Sequence, residues 1–196
     1  MRYRADITAG SLKVPESREV AALLLSNAVE AQWHEAIHDK NVLQARNPAT
    51  ARRLLLLIRG RLELMQPPLW RLVRDGSMET ATHAVFAAAV KHSHLLGDFL
   101  DLVVRDQYRM LAERLTNPMW EGYIEQCRER DPEMPQWSDS TVARLRSSVF
   151  QMLAQAGYLA DTRTRKLETV RLASEVLTYL RDHGEDHVLR CISVSP

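Results

Sequence analysis

Apolar positions recur at helical spacing along most of this chain, and the clearest run lies between Asn47 and Met65. Stepping 100° per residue puts Leu54, Leu55, Ile58, Leu62 and Met65 on one broad stripe, with Arg52, Arg53, Arg59, Gly60 and Glu63 opposite. Asn47 can cap free backbone N–H groups and Pro48 suits the first helical position. Pro67-Pro68 stops the helix, because neither ring nitrogen donates. At 1.5 Å per residue the rod is about 27 Å long, enough to cross a small domain. This helix reads as the spine on which the rest is organised. With Arg46 before the cap and Arg61 on the flank, five arginines and no acid lie between positions 46 and 61. Such a face is either the solvated edge of a core helix or a surface that meets phosphate.

Taken in order, the chain opens with an arm, Arg2 to Val14, that has no helical period. Pro15-Glu-Ser-Arg-Glu starts a helix with inner positions Val20, Leu23 and Leu24, and Val29, Trp33 and Ile37 mark another. The link 41–47 then leads into the arginine-faced helix. The unit around 29–66 is a loose helix-turn-helix candidate whose link exceeds the usual three or four residues. Leu69–Val73 is a short helix ended by Asp75-Gly76, and Ser77 caps an alanine-rich helix from Met78 to about Lys91. Leu95 to about Leu115 reads as a helix or broken pair. Pro118 opens a helix through Ile124, and Asp131–Trp137 is a rigid connector.

The segment Ser138–Leu159 is the most informative. Val142, Leu145, Val149, Met152 and Ala156 form a buried stripe, while Arg144, Ser147, Ser148, Gln151 and Gln155 form a polar one. Gly157 suits a left-handed helix stop. Two β-capable runs follow, 158–160 and 167–172, joined by the basic link Asp161-Thr-Arg-Thr-Arg-Lys166. A capped helix followed by a basic-tipped hairpin predicts a recognition helix and wing. Arginine and short hydroxyl side chains on such a helix reach base edges and phosphates, and the tip reaches an adjacent backbone. A last helix, 173–183, closes the fold, with the tail 184–196 docked as a strand or loose. The expected fold is all-α and compact, with helix-turn-helix elements, the C-terminal one winged-helix-like with a short β-hairpin. The expected division is an N-terminal helical bundle over 1–115 and a winged-helix-like unit over 116–196, packed as one globule.

Composition narrows the functions. An apolar fraction of 45% and a charged fraction of 26% are those of a soluble globular chain. The longest apolar run, Ala84 to Val90, is too short to span a bilayer, and the N-terminus lacks a signal-peptide core. Cys127 and Cys191 make no disulfide framework, so a cytoplasmic location is expected. Net charge is only +1, but it is unevenly spread. Segment 98–133 holds nine acids against five bases, and segment 140–171 six bases against two acids. Arginine, the side chain suited to bidentate phosphate and guanine contacts, accounts for 22 of the 26 basic residues.

Catalytic patterns are sparse. His34-Glu35-Ala36-Ile37-His38 has the zincin spacing, in which two imidazoles one turn apart hold zinc and the glutamate activates water. No third ligand or substrate-aligning strand accompanies it. Asp98 and Asp101, one turn apart, read as a solvated face before they read as metal ligands. A phosphate-binding glycine loop, a Cys-x-x-Cys pair and a Ser/His/Asp arrangement are all lacking, so no enzyme activity, cofactor or metal is expected.

Several stretches together resemble a known family. Tyr3–Leu12, Pro15-Glu-Ser-Arg-Glu-Val-Ala, Asn41-Val-Leu-Gln-Ala-Arg, Ala49-Thr-Ala-Arg-Arg-Leu54, Gly97-Asp-Phe-Leu100 and Ser140-Thr-Val with Gly157-Tyr-Leu are similar to BrxA. This is the small core protein of BREX bacteriophage-exclusion systems. The resemblance covers nearly the whole chain. It implies an all-helical cytoplasmic protein with helix-turn-helix elements that binds double-stranded DNA without catalysis, beside the system's methyltransferase, ATPase and other core proteins. From the polar helix faces and the basic link, the expected DNA-binding residues are Arg46, Thr50, Arg52, Arg53, Arg59, Ser140, Thr141, Arg144, Ser147, Ser148, Arg163, Arg165 and Lys166, with the oligomeric state left open and a monomer slightly favoured. The alternatives are a helical scaffold whose basic faces meet an acidic protein, and a zinc peptidase built on His34 and His38.

Overall fold

Three of the longest helices begin where a short polar side chain meets the first turn. Asn47 accepts from Thr50 N at 2.8 Å, Ser77 from Thr80 N at 3.0 Å and Ser138 from Thr141 N at 3.3 Å. The structure, a computed structural model, describes residues 2–7 and 11–195, so Thr8-Ala9-Gly10 of the opening arm lie outside the described residues. The elements in order are α1 (Val14–Leu25), α2 (Glu30–His34) continued by a π-helical segment Glu35–Asp39, α3 (Pro48–Leu62), α4 (Pro67–Asp75) and α5 (Met78–His92). There follow α6 (His94–Asp98), a second π-helical segment Phe99–Val104, α7 (Arg105–Arg109), α8 (Asn117–Arg130), α9 (Asp139–Gln155), α10 (Ser174–Asp182) and α11 (Asp186–Ile192).

The organising helix is α5, not α3. Apart from Thr82 its residues from Thr80 to Val90 are buried, and it touches α1, α3, α4, α6, α10 and α11. Alanine explains this. Small side chains on every side let neighbouring backbones approach, and a helix apolar all round belongs inside. In α3 the buried positions are Ala51, Ile58, Arg61 and Leu62, and Leu56 faces solvent at 64% exposure. One buried cluster runs from Tyr3 to Val194 and joins both ends of the chain.

The all-α class holds, but the wing does not. Among the described residues no strand forms, and β pairing is limited to two isolated antiparallel bridges, Leu159 with Leu167 and Arg114 with Lys166. Asp161 is the reason. Its Oδ1 accepts from Arg163 N (2.7 Å) and Thr164 N (2.6 Å), and its Oδ2 from Thr164 Oγ1 (2.9 Å), which curls the link into a tight turn. Arg165 then takes a positive φ of 53°, breaking the extended run. Pairing with 158–160 stops at two backbone bonds, Ala160 N to Lys166 O and Glu168 N to Tyr158 O, while Leu167 N donates to Glu113 O and Val170 N to Ser195 Oγ, so past Glu168 the run meets another segment. The predicted hairpin is therefore a side-chain-pinned turn. The tail is likewise neither strand nor loose: it forms α11, with Val188, Cys191 and Ile192 buried.

Candidate nucleic-acid interface

The 161–166 turn stands against α8 and α9. Leu115 N donates to Arg165 O (3.0 Å) and Leu167 N to Glu113 O (2.9 Å), which fixes the turn beside the approach to α8. Arg165 anchors it. Its guanidinium lies 5.6 Å from the Phe150 ring centre and donates to Asn117 Oδ1. On one side opens a cleft of about 890 Å³, lined by Glu113–Pro118 and by 163–167. On the other, a cleft of about 510 Å³ is lined by Asn117, Arg146, Ser147, Phe150, Gln151, Thr162 and Arg165. Arg114, Arg163, Arg165 and Lys166 thus face the first cleft against one acid, Glu113.

Within this wall the side chains differ in availability. Arg163 is exposed, and its guanidinium has no ion pair among the described residues. Lys166 meets Glu168 at 3.3 Å, and Arg146 meets Glu121 at 3.0 Å. Three hydrogen bonds from Thr164 and Arg163, those from Thr164 contributing most, and the Arg163 charge hold Asp161 below the usual carboxylate range, so it stays ionised as the turn's hinge. On α9, Arg144 and Ser147 are exposed, and Ser147 Oγ donates to Ala143 O at 3.0 Å. Ser140 and Thr141 hydroxyls each lie 3.0 Å from Ser138 Oγ, so they belong to the helix cap. Ser148 is 2% exposed, and its hydroxyl sits in the core, not on a contact face.

The arginines of α3 form a separate surface; neither cleft includes a residue from 46 to 61. Arg46, Arg52 and Arg53 are exposed and make no ion pair among the described residues, and Thr50 is half-buried. Arg59 is engaged: it bonds Glu63 at 2.7 Å and lies 4.6 Å from the Trp33 ring centre. Arg61 is not on the flank but in the core, 2% exposed. Arg114, Asn117 and Gln151 complete the clefts and were absent from the residues expected to bind. Arg114 was masked by its setting in an acidic segment, and only the fold carries it across to Lys166.

The zincin spacing lies on an exposed helix. His34 and His38 rings are 4.8 Å apart, His34 Nδ1 lies 3.9 Å from Asp39, and Glu35 pairs with Lys40. Asp98 and Asp101 serve different partners, Arg2 with Tyr3 and Arg105 with Arg190. Among the described residues no three His, Cys, Asp or Glu side chains are grouped to hold a metal.

Comparison with known proteins places the chain. The BrxA family model matches residues 1–184. The chain belongs to the BrxA family. A "BREX protein BrxA" of Paramagnetospirillum magneticum is 56% identical over 99% of this chain and 98% of its own length. Another BrxA, from Escherichia coli O9:H4, is 34% identical over 94% of this chain and 86% of its own. A crystal structure of an uncharacterized protein from Magnetospirillum magneticum superposes with a TM-score of 0.92 at 54% identity, covering 100% of both chains. BrxA membership makes the chain a component of BREX phage defence. No helix of the described residues is long and apolar enough to cross a membrane.

Proposed function

We propose that this BREX component binds double-stranded DNA without catalysing a reaction, through the basic wall of the 161–166 turn. The observation that carries the reading is the first cleft, where Arg114, Arg163, Arg165 and Lys166 converge on one opening against a single acid. Such convergence raises local positive potential and favours a polyanion. Alongside, α9 offers Arg144, Ser147 and Gln151, short and planar polar groups that suit phosphate and base-edge contacts. Arg165 serves mainly to hold the turn, so the contacts fall to Arg114, Arg163 and Lys166. The test is a titration of the full chain with duplex DNA, duplex RNA and single strands over a salt series. Duplex DNA should bind best, with affinity falling linearly in log salt. Equal binding of all polymers, or none, would reject the reading.

A second reading concerns α3. Leu56, 64% exposed, lies on the same outer face as Arg52 and Arg53, and apolar area amid arginine suits a protein partner as well as a phosphate backbone. Under this reading α3 meets another BREX core protein, the methyltransferase or the ATPase among them. Arg52→Ala with Arg53→Ala would then leave DNA affinity unchanged but lose that protein in pull-downs from cells.

A further inference from the structure

The helices α1, α7, α9 and α10 end in the same motif, a residue at positive φ flanked by two characteristic backbone bonds. In α9 these are Gly157 N to Ala154 O (3.2 Å) and Tyr158 N to Leu153 O (2.9 Å). In α10 they are Gly184 N to Arg181 O and Glu185 N to Leu180 O, and in α1 Asn27 N to Leu24 O and Ala28 N to Leu23 O. In α7 they are Leu111 N to Tyr108 O (3.1 Å) and Ala112 N to Gln107 O (2.9 Å). Three of the four stops therefore use glycine or asparagine, the residues that tolerate left-handed backbone. The fourth uses leucine, at φ 53°.

That leucine has no folding reason to be there. Its side chain is 88% exposed and so gains nothing from the core, and the neighbouring Met110 is 65% exposed. Glycine would serve the backbone better, and any polar residue would serve the solvent better. The tip does have a fixed neighbourhood. Two and three residues on, Glu113 and Arg114 line the larger of the two clefts, and the backbone bonds of 113–115 to 165–167 tie the tip to the wall carrying Arg163 and Lys166. An apolar knob is thus held beside converging cations.

We propose that Met110 and Leu111 form a wedge that enters between base pairs of the duplex held by Arg114, Arg163 and Lys166, unstacking one step and bending the DNA. The inference rests on the DNA-binding reading above. Proteins that bend DNA from the minor groove combine these parts: basic side chains that hold the backbone and a leucine or methionine that replaces lost stacking. The adjacent cations select DNA over an apolar protein groove, and the backbone bonds of the α7 stop and of 113–115 to the turn hold the tip in place. Flexible pyrimidine–purine steps are the expected entry points.

The full chain is titrated into a duplex with 2-aminopurine beside a TA step and a dye pair at its ends. The parent should raise 2-aminopurine emission and end-to-end energy transfer on binding. Leu111→Gly should melt no lower than the parent, because it restores the residue used at the other stops. Leu111→Gly with Met110→Ala should keep the salt slope, bind roughly tenfold more weakly for want of one buried leucine, and lose both optical changes. Salt-dependent binding by the parent with no bend, or a double variant that bends DNA as the parent does, overturns the wedge and leaves the DNA-binding reading standing. A parent that binds no duplex overturns both.

Discussion

Tyr3 Oη donates a 2.7 Å hydrogen bond to Asp98 Oδ2, joining the first residues of the chain to α6 across 95 positions. Arg2 completes the clasp at Asp98, its guanidinium 2.8 Å from Oδ2, and Asp131 Oδ2 accepts from the backbone N–H groups of Arg2 and Tyr3. Burial and the hydrogen bond to Asp98 push the Tyr3 phenol up to about 12, so it remains a donor at any working pH. Tyr3→Phe keeps the ring and removes one bond to a charged acceptor. It should cost about 1.5–3 kcal/mol in urea unfolding. A change under half a kilocalorie would mean that Arg2 alone satisfies Asp98.

Arg61 carries the opposite expectation. Its three guanidinium nitrogens are buried with no hydrogen-bond partner among the described residues, and burial draws its pKa down to about 10. Asp6 is the acid that opposes this shift, and burial raises its own pKa. An apolar side chain of similar length relieves the desolvation. Arg61→Met combined with Asp6→Asn, which removes both buried charges together, should raise the unfolding free energy by about 1–4 kcal/mol. A lower melting temperature would show that the guanidinium is held by more than packing.

Histidine burial sets the acid side of the stability curve. Burial lowers the pKa values of His83 and His92, against raising influences from Glu79 on the first and Asp6 on the second. His83 stays neutral, with Nδ1 accepting from Ala173 N at 3.1 Å. A folded value below the unfolded one near 6.5 means that the unfolded chain binds more protons. This stability is present above about pH 6.5 and is lost as pH falls toward the folded values. Asp6, raised by burial, acts with the opposite sign. The melting temperature should therefore drop between pH 7.5 and 5.5, and His83→Gln should flatten that fall. A level profile for the parent would count against buried neutral histidines.

The turn separates contact from support. Arg114→Ala, Arg163→Ala and Lys166→Ala together should leave the melting temperature nearly unchanged and reduce the salt slope of duplex binding by roughly two to three. Arg165→Ala should instead lower the melting temperature, because it removes the contacts to Phe150 and Asn117. Arg144→Ala, if its guanidinium reads a base edge, should weaken binding by about 1–3 kcal/mol at preferred sites only. Equal losses for all five residues with lowered melting throughout would show a folding effect in place of a contact surface.

Capped helix starts and the inner face of α9 were legible from residues alone because they depend on neighbours within four positions, whereas α3 ends at Leu62 and Pro67-Pro68 open α4 instead of stopping the central helix. Asn47, Ser77 and Ser138 cap where their side chains can reach the next turn, and Leu145, Val149 and Met152 of α9 are buried at the spacing the pattern demands. The family was legible for a related reason, since its signature lies in short runs such as 49–54. Other features depended on partners distant in sequence. Arg61 lies three residues after Ile58 and four before Met65, so it shares their side of α3. Only the packing of α3 against both α1 and α5 widens the buried arc enough to take it in. The two β-capable runs had suitable residues, but Asp161 curled the link and pairing ended at Glu168, because the Tyr158 N–H goes to Leu153 O at the α9 stop and the Val170 N–H to Ser195, while Leu167 turns its N–H to Glu113. Arg114 joined Lys166 by the same route. Periodicity shows which side of a helix is apolar; how many neighbours cover that side, and which segment satisfies a free backbone group, is decided only when the whole chain has packed.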